Sequence, residues 1–408
     1  MPENSETRTP KNPVYLSPTP GKITIAAFYP TKGTVTPSTQ ICIDMQDCGF
    51  NSAIINVSTS VLKGTVDFCV KRGIYPFIHN ERLMQTEAAC KKFINDNKGL
   101  TGLGGWMLKD TVAAVDVKEG SALDNMIGWI READPKHPVF TGIQPGSEFL
   151  STGTNSYRQY IADFEYNLSP SFWPYRYFSR YTLSPSQHSP YSSFYNGLET
   201  FAFMTRYTNV PMWSYVNTLS GTGSSGDTTP ATEAQIRFEV FSALAYGAQG
   251  IAYWRYLPES DATNGLVTFN GEKTDQWYHA QKVNQEVDSY TRVFAGCNLV
   301  ACRHTGLRQP ASTCMLSESF GPLMSMESGS SGVLLSHVCN QGLNYLVIVN
   351  HSVTASQELT LNFSRYWSLY KVNGPTETAY LMPTLDITAP FTLKATLPAG
   401  GYLVYRWE

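Results

Sequence analysis

Short apolar runs alternate with longer stretches of helical spacing along most of the chain. Such alternation predicts parallel strands joined by helices, because a parallel crossover needs about a dozen residues or more. The runs are continuously apolar, as expected of strands that are buried on both faces. They occupy residues 23–30, 51–58, 73–80, 103–110, 137–144, 160–167, 210–217 and 249–256. Eight strand–helix units of about 30 residues each predict a closed (β/α)8 barrel, the TIM barrel fold class.

The turn after the first run favours this barrel over an open, doubly wound sheet, because no GxGxxG motif follows residues 23–30. The connecting segments also carry helix signals. In the clearest case Thr229 is the predicted N-cap, Pro230 begins the helix and Gly247 ends it.

The pattern changes after a helix predicted around residues 275–294, which ends at Gly296. Beyond it, short alternating runs such as 359–363 and 391–397 are separated by Asn, Gly and Pro, which is typical of a β-sandwich. We therefore predict a leader over residues 1–21, the barrel over 22–298 and an all-β sandwich domain over 299–408.

Residues 1–21 are rich in Pro, Ser, Thr and charge and lack the apolar segment of a signal peptide. We expect a flexible leader that follows a removed export signal, on a secreted, periplasmic or cell-surface protein. No apolar run approaches the roughly 18 residues of a membrane helix, so no integral membrane segment is predicted. With a formal net charge of −3 and no clustered basic stripe, we expect no nucleic-acid partner.

The cysteines predict neither a structural metal nor a cofactor. They form no CxxC pair and no cluster with histidine. Cys42, Cys48, Cys69 and Cys90 lie in predicted helices outside the barrel, where single buried thiols pack as small apolar groups. Disulfide pairing is left open at this stage.

The aromatic content is high, at 13% with 24 Tyr and 8 Trp. Amphipathic rings can cover the faces of sugars while their OH and NH groups bond hydroxyls. A large core would use the same residues equally well, so composition alone does not decide between the two.

Active sites of (β/α)8 barrels form at the carboxyl ends of the strands. Acids, amides and rings at the ends of the predicted strands suit an oligosaccharide or polysaccharide, which presents many hydroxyls. The predicted substrate-binding residues are His79, Asn80, Glu81, Trp106, Tyr166, Asn167, Trp213, Asn217 and Trp254. Gln144 ends the fifth run, and period-two alternation points Arg255 to the opposite side of its strand.

Asp110 and Glu165 are the predicted catalytic residues, at the ends of the fourth and sixth runs, with Glu81 in reserve. Glycoside hydrolysis normally uses two carboxyl groups, one to protonate the leaving oxygen and one to act as nucleophile or to activate water. A separation of about 5 Å between them implies a retaining mechanism and one of about 6.5 to 9.5 Å an inverting mechanism.

Three stretches carry a family resemblance that covers roughly residues 22–300. They are GGWMLKD (104–110), QIRFEVFSALAYG followed by AQGIAYWRY (235–256), and NGLVTFNGEKTDQWYHAQKVNQEV (264–287). With these stretches the chain resembles the barrel glycosidases of the two-glutamate clan, in particular the β-galactosidase-like glycoside hydrolases of gut Bacteroidetes. The resemblance implies a glycosidase barrel and a carbohydrate substrate.

Both glutamates that define this clan are absent. The fourth run ends in Asp110-Thr111 where the clan has an acid/base glutamate, and the seventh run, with Ser214 and Asn217, holds no carboxylate. Two hypotheses follow: a glycoside hydrolase of a plant or host glycan with relocated carboxylates, or a catalytically silent glycan-binding protein. A third, an esterase that uses Ser214, lacks the GxSxG motif.

Overall fold

The computed structural model describes residues 15, 17–29, 39–143, 157–177, 189–218, 220–221, 230–259, 263–306, 316, 319–383 and 389–408. A curled sheet of eight parallel strands, covered by helices, is followed by antiparallel sheets. The predicted fold class, a (β/α)8 barrel followed by an all-β sandwich, is confirmed.

The strands of the barrel are β1 (Thr24–Phe28), β2 (Ser52–Asn56), β3 (Tyr75–His79), β4 (Gly105–Met107), β5 (Val139–Phe140), β6 (Trp173–Tyr175), β7 (Met212–Asn217) and β8 (Gly250–Trp254). They are hydrogen-bonded in the order β5-β4-β3-β2-β1-β8-β7-β6. Strand β1 pairs with both β2 and β8, so the first and last strand–helix units lie side by side. Within the described ranges no ladder joins β5 to β6.

The helices are α1 (Thr39–Asp47), α2 (Leu62–Val70), α3 (Glu87–Asn97), α4 (Ala122–Ala133), α5 (Tyr157–Asp163), α6 (Ser189–Thr208), α7 (Glu233–Ala245), α8 (Asp275–Ser289) and α9 (Thr291–Phe294). Helix α7 begins later than predicted: Thr232 caps it and forms a capping box with Gln235, whereas Thr229 lies outside the described residues. Among the described helices, none is long and apolar enough to cross a membrane.

Seven of the eight predicted strands are confirmed, and the sixth is wrong. Residues 160–167, predicted as a strand, form the end of α5 and a π-helical turn, Phe164–Leu168. The sixth strand is instead Trp173–Tyr175, a short run that follows a proline. A short apolar segment can be a buried helix or a strand, and periodicity does not separate the two.

Alternate strand residues fill the barrel interior, largely with aromatic rings. This inner cluster consists of Tyr15, Ala26, Phe28, Tyr29, Ile54, Phe77, Met107, Phe140, Phe172, Trp213, Tyr215, Ala252 and Trp254. Phe172 stacks on Trp213 with 4.1 Å between ring centroids. Gly250 makes room for the indole of Trp213, because a Cβ atom there would lie 2.4 Å from it. Many of the aromatic residues therefore pack the core.

Tyr15 belongs to the predicted leader and yet is buried at the amino ends of the strands. Its hydroxyl bonds the Thr24 hydroxyl at 3.0 Å, and its ring packs edge-on against Trp213 at 5.0 Å. Its backbone N–H donates to the Ser171 carbonyl at 2.9 Å. The leader is therefore anchored at this position, contrary to the expectation of a flexible segment.

The C-terminal part is built from antiparallel strands: β9 (Asn298–His304), β10 (Leu323–Glu327), β11 (Val333–Asn340), β12 (Leu343–Asn350), β13 (Gln357–Phe363), β14 (Leu369–Asn373), β15 (Thr376–Leu381), β16 (Phe391–Leu397) and β17 (Tyr402–Trp407). Six form a sheet in the order β9-β11-β12-β17-β14-β15, and three form a second sheet in the order β10-β13-β16. The two sheets enclose a separate apolar core that includes Leu335, Leu361 and Trp407.

The other face of the six-stranded sheet packs on the barrel. Tyr402 stacks on Phe241 of α7 with 3.5 Å between ring centroids, and the Ser336 hydroxyl donates to the Ala245 carbonyl at 2.6 Å. Val338 and Val347 of this sheet belong to the same core cluster as the barrel helices. The sandwich thus covers α7, which leads into β8.

Two buried histidines link the sandwich to the barrel. His351 Nδ1 donates to the Ser331 carbonyl at 3.2 Å, since a carbonyl can only accept. Its Nε2 therefore accepts from His304 Nδ1 at 3.0 Å, and His304 Nε2 accepts from the Tyr246 hydroxyl at 2.9 Å. Both rings are neutral in this arrangement, and burial lowers the pKa of both, that of His351 to about 4.

The described cysteines are free thiols. Cys42, Cys48, Cys69 and Cys90 are buried in or beside α1–α3, as predicted, and the sulfurs of Cys42 and Cys69 lie 3.8 Å apart. No group of three His, Cys, Asp or Glu side chains in the described ranges could hold a metal ion.

The histidine pair predicts acid-sensitive stability. The unfolded chain binds protons from about pH 6.5 downward, whereas folded His351 binds one only near pH 4, so the free energy of unfolding falls as pH drops through this window. The contribution of His351 is up to about 3 kcal/mol. Denaturant unfolding of wild type and His351→Gln at pH 7.5, 6 and 5 measures it. His337→Gln, on the opposite face of the sheet, is the matched control. Parallel pH profiles for wild type and His351→Gln would contradict the prediction.

The anchoring of Tyr15 predicts that Tyr15→Ala lowers the free energy of unfolding by about 3 kcal/mol through the cavity that it leaves. Tyr15→Phe keeps the ring and removes only the bond to Thr24, so it costs about 1 kcal/mol. Chemical denaturation of the three proteins tests this. Equal stability of wild type and Tyr15→Ala would show that the segment is not anchored in solution.

Candidate functional site

A partly buried carboxyl group lies at the carboxyl ends of the strands, beyond the last layer of rings. Asp110 follows β4 and accepts a hydrogen bond from the hydroxyl of Tyr29, which follows β1. Tyr29 has a φ of +50°, a left-handed conformation that a tyrosine rarely adopts. Non-glycine residues in this conformation concentrate at functional sites. The two side chains form the centre of the candidate site.

Glycine at position 142 permits the position of Asp110. The Gly142 N–H donates to the Lys109 carbonyl at 2.7 Å, which extends the β4–β5 pairing beyond the strands. A Cβ atom at Gly142 would lie 1.7 Å from the carbonyl oxygen of Asp110. Any side chain here would push Asp110 away from Tyr29.

Two arginines flank the carboxyl group. Arg176, directly after β6, donates to the Asp110 carbonyl at 3.3 Å and to the Thr111 hydroxyl. The guanidinium carbon of Arg255, directly after β8, lies 4.8 Å from the centroid of the Tyr29 ring. The prediction that Arg255 points away from the mouth is wrong, because β8 ends at Trp254 and strand alternation does not extend past it.

Three of the predicted binding residues also lie at this mouth. Trp254 ends β8, Asn217 ends β7 and pairs with it in the ladder, and His79 ends β3. His79 Nδ1 contacts the Met107 carbonyl at 3.2 Å, and its ring lies 6.4 Å from that of Tyr29. Trp254 is only 9% exposed, since Phe28, Tyr29 and the two guanidinium groups surround its ring. Trp254 therefore packs against the groups of the site and leaves little of its ring face exposed to a sugar.

The electrostatics of Asp110 combine burial with positive neighbours. Burial raises the pKa of its carboxyl, and this effect outweighs the opposing effects of the Tyr29 hydrogen bond and of His79, Arg176 and Arg255. Burial also raises the pKa of Tyr29, so its hydroxyl keeps its proton. Asp110 can therefore carry a proton at a higher pH than an exposed aspartate.

Other predicted residues lie elsewhere. Trp106 faces the helices, where its Nε1 donates to Asp134 at 2.9 Å, because its neighbour Met107 takes the inward position on β4. Trp213 lies inside the barrel near its amino end, stacked on Phe172, and is fully buried. Ser214 alternates with the inward Trp213 and so faces the helical layer, which removes the esterase hypothesis.

Glu165, Tyr166 and Asn167 lie in the π-helical turn after α5 and not at a strand end. Their neighbours Phe164 and Leu168 pack in the outer core, and Asn167 donates to the Val117 carbonyl at 2.7 Å. Glu165 was predicted at the mouth because residues 160–167 were predicted as the sixth strand, which is instead Trp173–Tyr175. The strand-end rule therefore does not make Glu165 the partner of Asp110.

Asn80 and Glu81 belong to the turn after β3. Asn80 is buried, caps the short 3-10 helix Glu81–Met84 through the Arg82 N–H, and donates to the Val57 carbonyl. These bonds give Asn80 a structural role in place of the predicted binding role. Glu81 is solvent-exposed. Gln144 lies outside the described residues.

Tyr29, Thr111 and Arg176 were not among the predicted site residues. Tyr29 is next to last in the first run, and it turns inward with a positive φ that the sequence pattern does not predict. Arg176 was missed because the sixth strand was misplaced. The apolar triplet 173–175, which precedes this arginine, was the available signal.

Comparisons with known proteins identify the fold. No family model matches the chain, and no curated protein matches its sequence. Many solved structures share its fold. A glycoside hydrolase family 5 protein from Bacteroides vulgatus superposes with a TM-score of 0.58 at 10% identity, over 94% of this chain and 89% of the other.

Two further structures show the same likeness. Amy13B of Eubacterium rectale has a TM-score of 0.51 at 12% identity over 95% of each chain. Another glycoside hydrolase has a TM-score of 0.51 at 10% identity over 94% of this chain and 92% of the other. The structural neighbours of this chain are thus glycoside hydrolases, and the likeness establishes a shared barrel-and-sandwich fold.

The Tyr29–Asp110 bond predicts the behaviour of Tyr29→Phe. The hydroxyl stabilises the ionised carboxyl, so its removal raises the pKa of Asp110 further. NMR titration of ¹³C-labelled aspartate in wild type and Tyr29→Phe measures this shift, with Asp110→Asn to assign the resonance. An unchanged pKa in a folded variant would show that the hydrogen bond does not form in solution.

Proposed function

We propose that this protein is a glycoside hydrolase that acts on a plant or host glycan at the mouth of its barrel. In this proposal Asp110 is the acid that protonates the oxygen of the leaving group. The observation that carries the proposal is a partly buried, hydrogen-bonded carboxyl group at the carboxyl end of a barrel strand, where such barrels perform their chemistry. The fold shared with glycoside hydrolases supports the substrate class.

The surroundings of Asp110 suit a proton donor. A general acid must hold its proton near the working pH, and burial raises the pKa of this carboxyl. As the glycosidic C–O bond breaks, the proton of Asp110 passes to the departing oxygen, and a water molecule forms the new C–O bond at the anomeric carbon and releases its proton to solvent. The resulting Asp110 carboxylate is stabilised by the Tyr29 hydroxyl. Arg176 and Arg255 offset the negative charge that then appears on Asp110.

A glycan-binding protein without hydrolysis is the second candidate. Hydrolysis normally needs two carboxyl groups, and Glu165 lies on the helical layer. Glu259, a described acid at the rim, is 78% exposed and paired with Arg255. No second carboxyl group beside Asp110 is found among the described residues of the mouth, and this favours binding without turnover.

A hydrolysis screen of aryl glycosides and of plant and host oligosaccharides, with binding measured on the same ligands, separates the two candidates. For a hydrolase we expect Asp110→Asn to lower turnover by about 10²-fold or more while binding persists. Asp116→Asn is the matched control, because this acid lies in the same loop and pairs with Lys109 at 3.1 Å. Glu165→Gln should retain activity.

Each result of the screen removes a different candidate function. Binding by wild type without turnover of any ligand would replace the hydrolase with the glycan-binding protein. Equal losses in Asp110→Asn and Asp116→Asn would remove Asp110 from the chemistry. Neither binding nor turnover would refute both candidates.

A further inference from the structure

The guanidinium group of Arg255 has a buried N–H donor without a hydrogen-bond acceptor among the described residues. Its guanidinium carbon lies 4.8 Å from the centroid of the Tyr29 ring and 5.5 Å from that of Trp254, and the side chain is 12% exposed. Its Nη1 pairs with Glu259 at the rim. Its Nε is buried and has no hydrogen-bond partner among the described residues. A buried donor without an acceptor is costly, and an arginine most favourably meets an oxyanion.

The turn that carries Arg255 is fixed at the mouth of the barrel. The Arg255 carbonyl accepts from the Thr218 hydroxyl at 2.8 Å, which ties the turn after β8 to the end of β7. Leu257 N–H donates to the Tyr29 carbonyl at 3.4 Å, which ties the same turn to the end of β1. The backbone at Arg255 is therefore held by the ends of two neighbouring strands.

The charges around Asp110 favour a negative ligand group. Arg176, which donates to the Asp110 carbonyl, and Arg255, which lies over the Tyr29 ring, are both cations beside this carboxyl group. Glu259 offers Arg255 only partial compensation, since an ion pair with a 78% exposed partner is weakened by solvent.

We infer that the mouth binds a glycan that carries a carboxylate or sulfate group, and that Arg255 recognises this group. The inference rests on the proposed carbohydrate function and specifies its substrate class. The planar guanidinium presents parallel N–H donors to two oxygens of the anion, which fixes the orientation of the sugar ring. Glu259 competes with the ligand for the same guanidinium.

Calorimetric titration with matched ligand pairs tests the inference. Oligogalacturonate and its methyl ester share one skeleton and differ in the carboxylate, and sulfated and desulfated galactan oligosaccharides differ in the sulfate. We expect the anionic member of at least one pair to bind about 10-fold tighter or more, with an advantage that shrinks at high salt. The pair that shows this preference identifies the anion.

Variants connect the preference to Arg255. Arg255→Met should weaken binding of the anionic ligand by about 10- to 100-fold and leave the neutral ligand unaffected. Arg255→Lys should restore part of the loss, which a merely structural role would not predict. Glu259→Gln should strengthen anion binding severalfold by releasing the guanidinium. Arg292→Met, on the barrel–sandwich boundary where Arg292 pairs with Glu377, is the control for a lost cation.

The binding measurements distinguish a failure of this inference from a failure of the proposed function. Binding of neutral glycans at least as tight as binding of anionic ones would overturn the inference and leave the proposed function intact. An equal loss for both members of a pair in Arg255→Met would also overturn it. Absence of binding to every glycan, including the screening panel above, would refute the proposed function together with the inference.

Discussion

The filling of the barrel interior by aromatic rings is the constraint on which the rest of the structure depends. Strands alternate between an inward and an outward side chain, so each strand contributes only a few positions to the interior. Phe172 and Trp213 occupy the amino end of this space, and Phe28 and Tyr215 lie further along, with their ring centroids 4.9 Å apart. Polar chemistry is thereby confined to the last layer, at the mouth.

The mouth depends on several elements at once. Asp110 reaches its position because position 142 has no side chain, and it is held there by a tyrosine from β1 and by an arginine after β6. The turn that carries Arg255 is tied to β7 and β1. Helix α7, which leads into β8, is in turn covered by the sandwich through Tyr402. The all-β part therefore supports the helix that leads into β8 and its site residues, although none of the bonds described for the site comes from the sandwich.

Much of the fold could be predicted from the sequence, because continuous apolar runs and helical spacing are strong local signals. The sixth strand could not, since Tyr160 and Ile161 are equally consistent with a buried helix, whereas the true strand is three residues long. The site was predicted only in part. Asp110, His79, Asn217 and Trp254 were placed at the mouth by the strand-end rule. Tyr29 escaped because a positive φ has no signature in the sequence.

The sequence also could not show which side of its strand Trp106 faces. Trp106 and Met107 are both apolar, so alternation alone does not tell which of them faces the interior, and a shift of one residue exchanges the two sides. In the folded chain Trp106 finds a buried hydrogen-bond partner in Asp134, a residue that no local pattern connects to it. Which of two neighbouring apolar residues faces the barrel interior is therefore decided by contacts between residues that are distant in sequence.

The burial of Tyr15 has a consequence for the end of the barrel opposite the mouth. Tyr15 lies outside the eight strands, yet its ring packs on Trp213 and Phe172 at the amino ends of the strands. The barrel is therefore plugged at this end by a residue from the segment before β1. The packing of the inner rings thus depends on a part of the chain that belongs to no strand–helix unit.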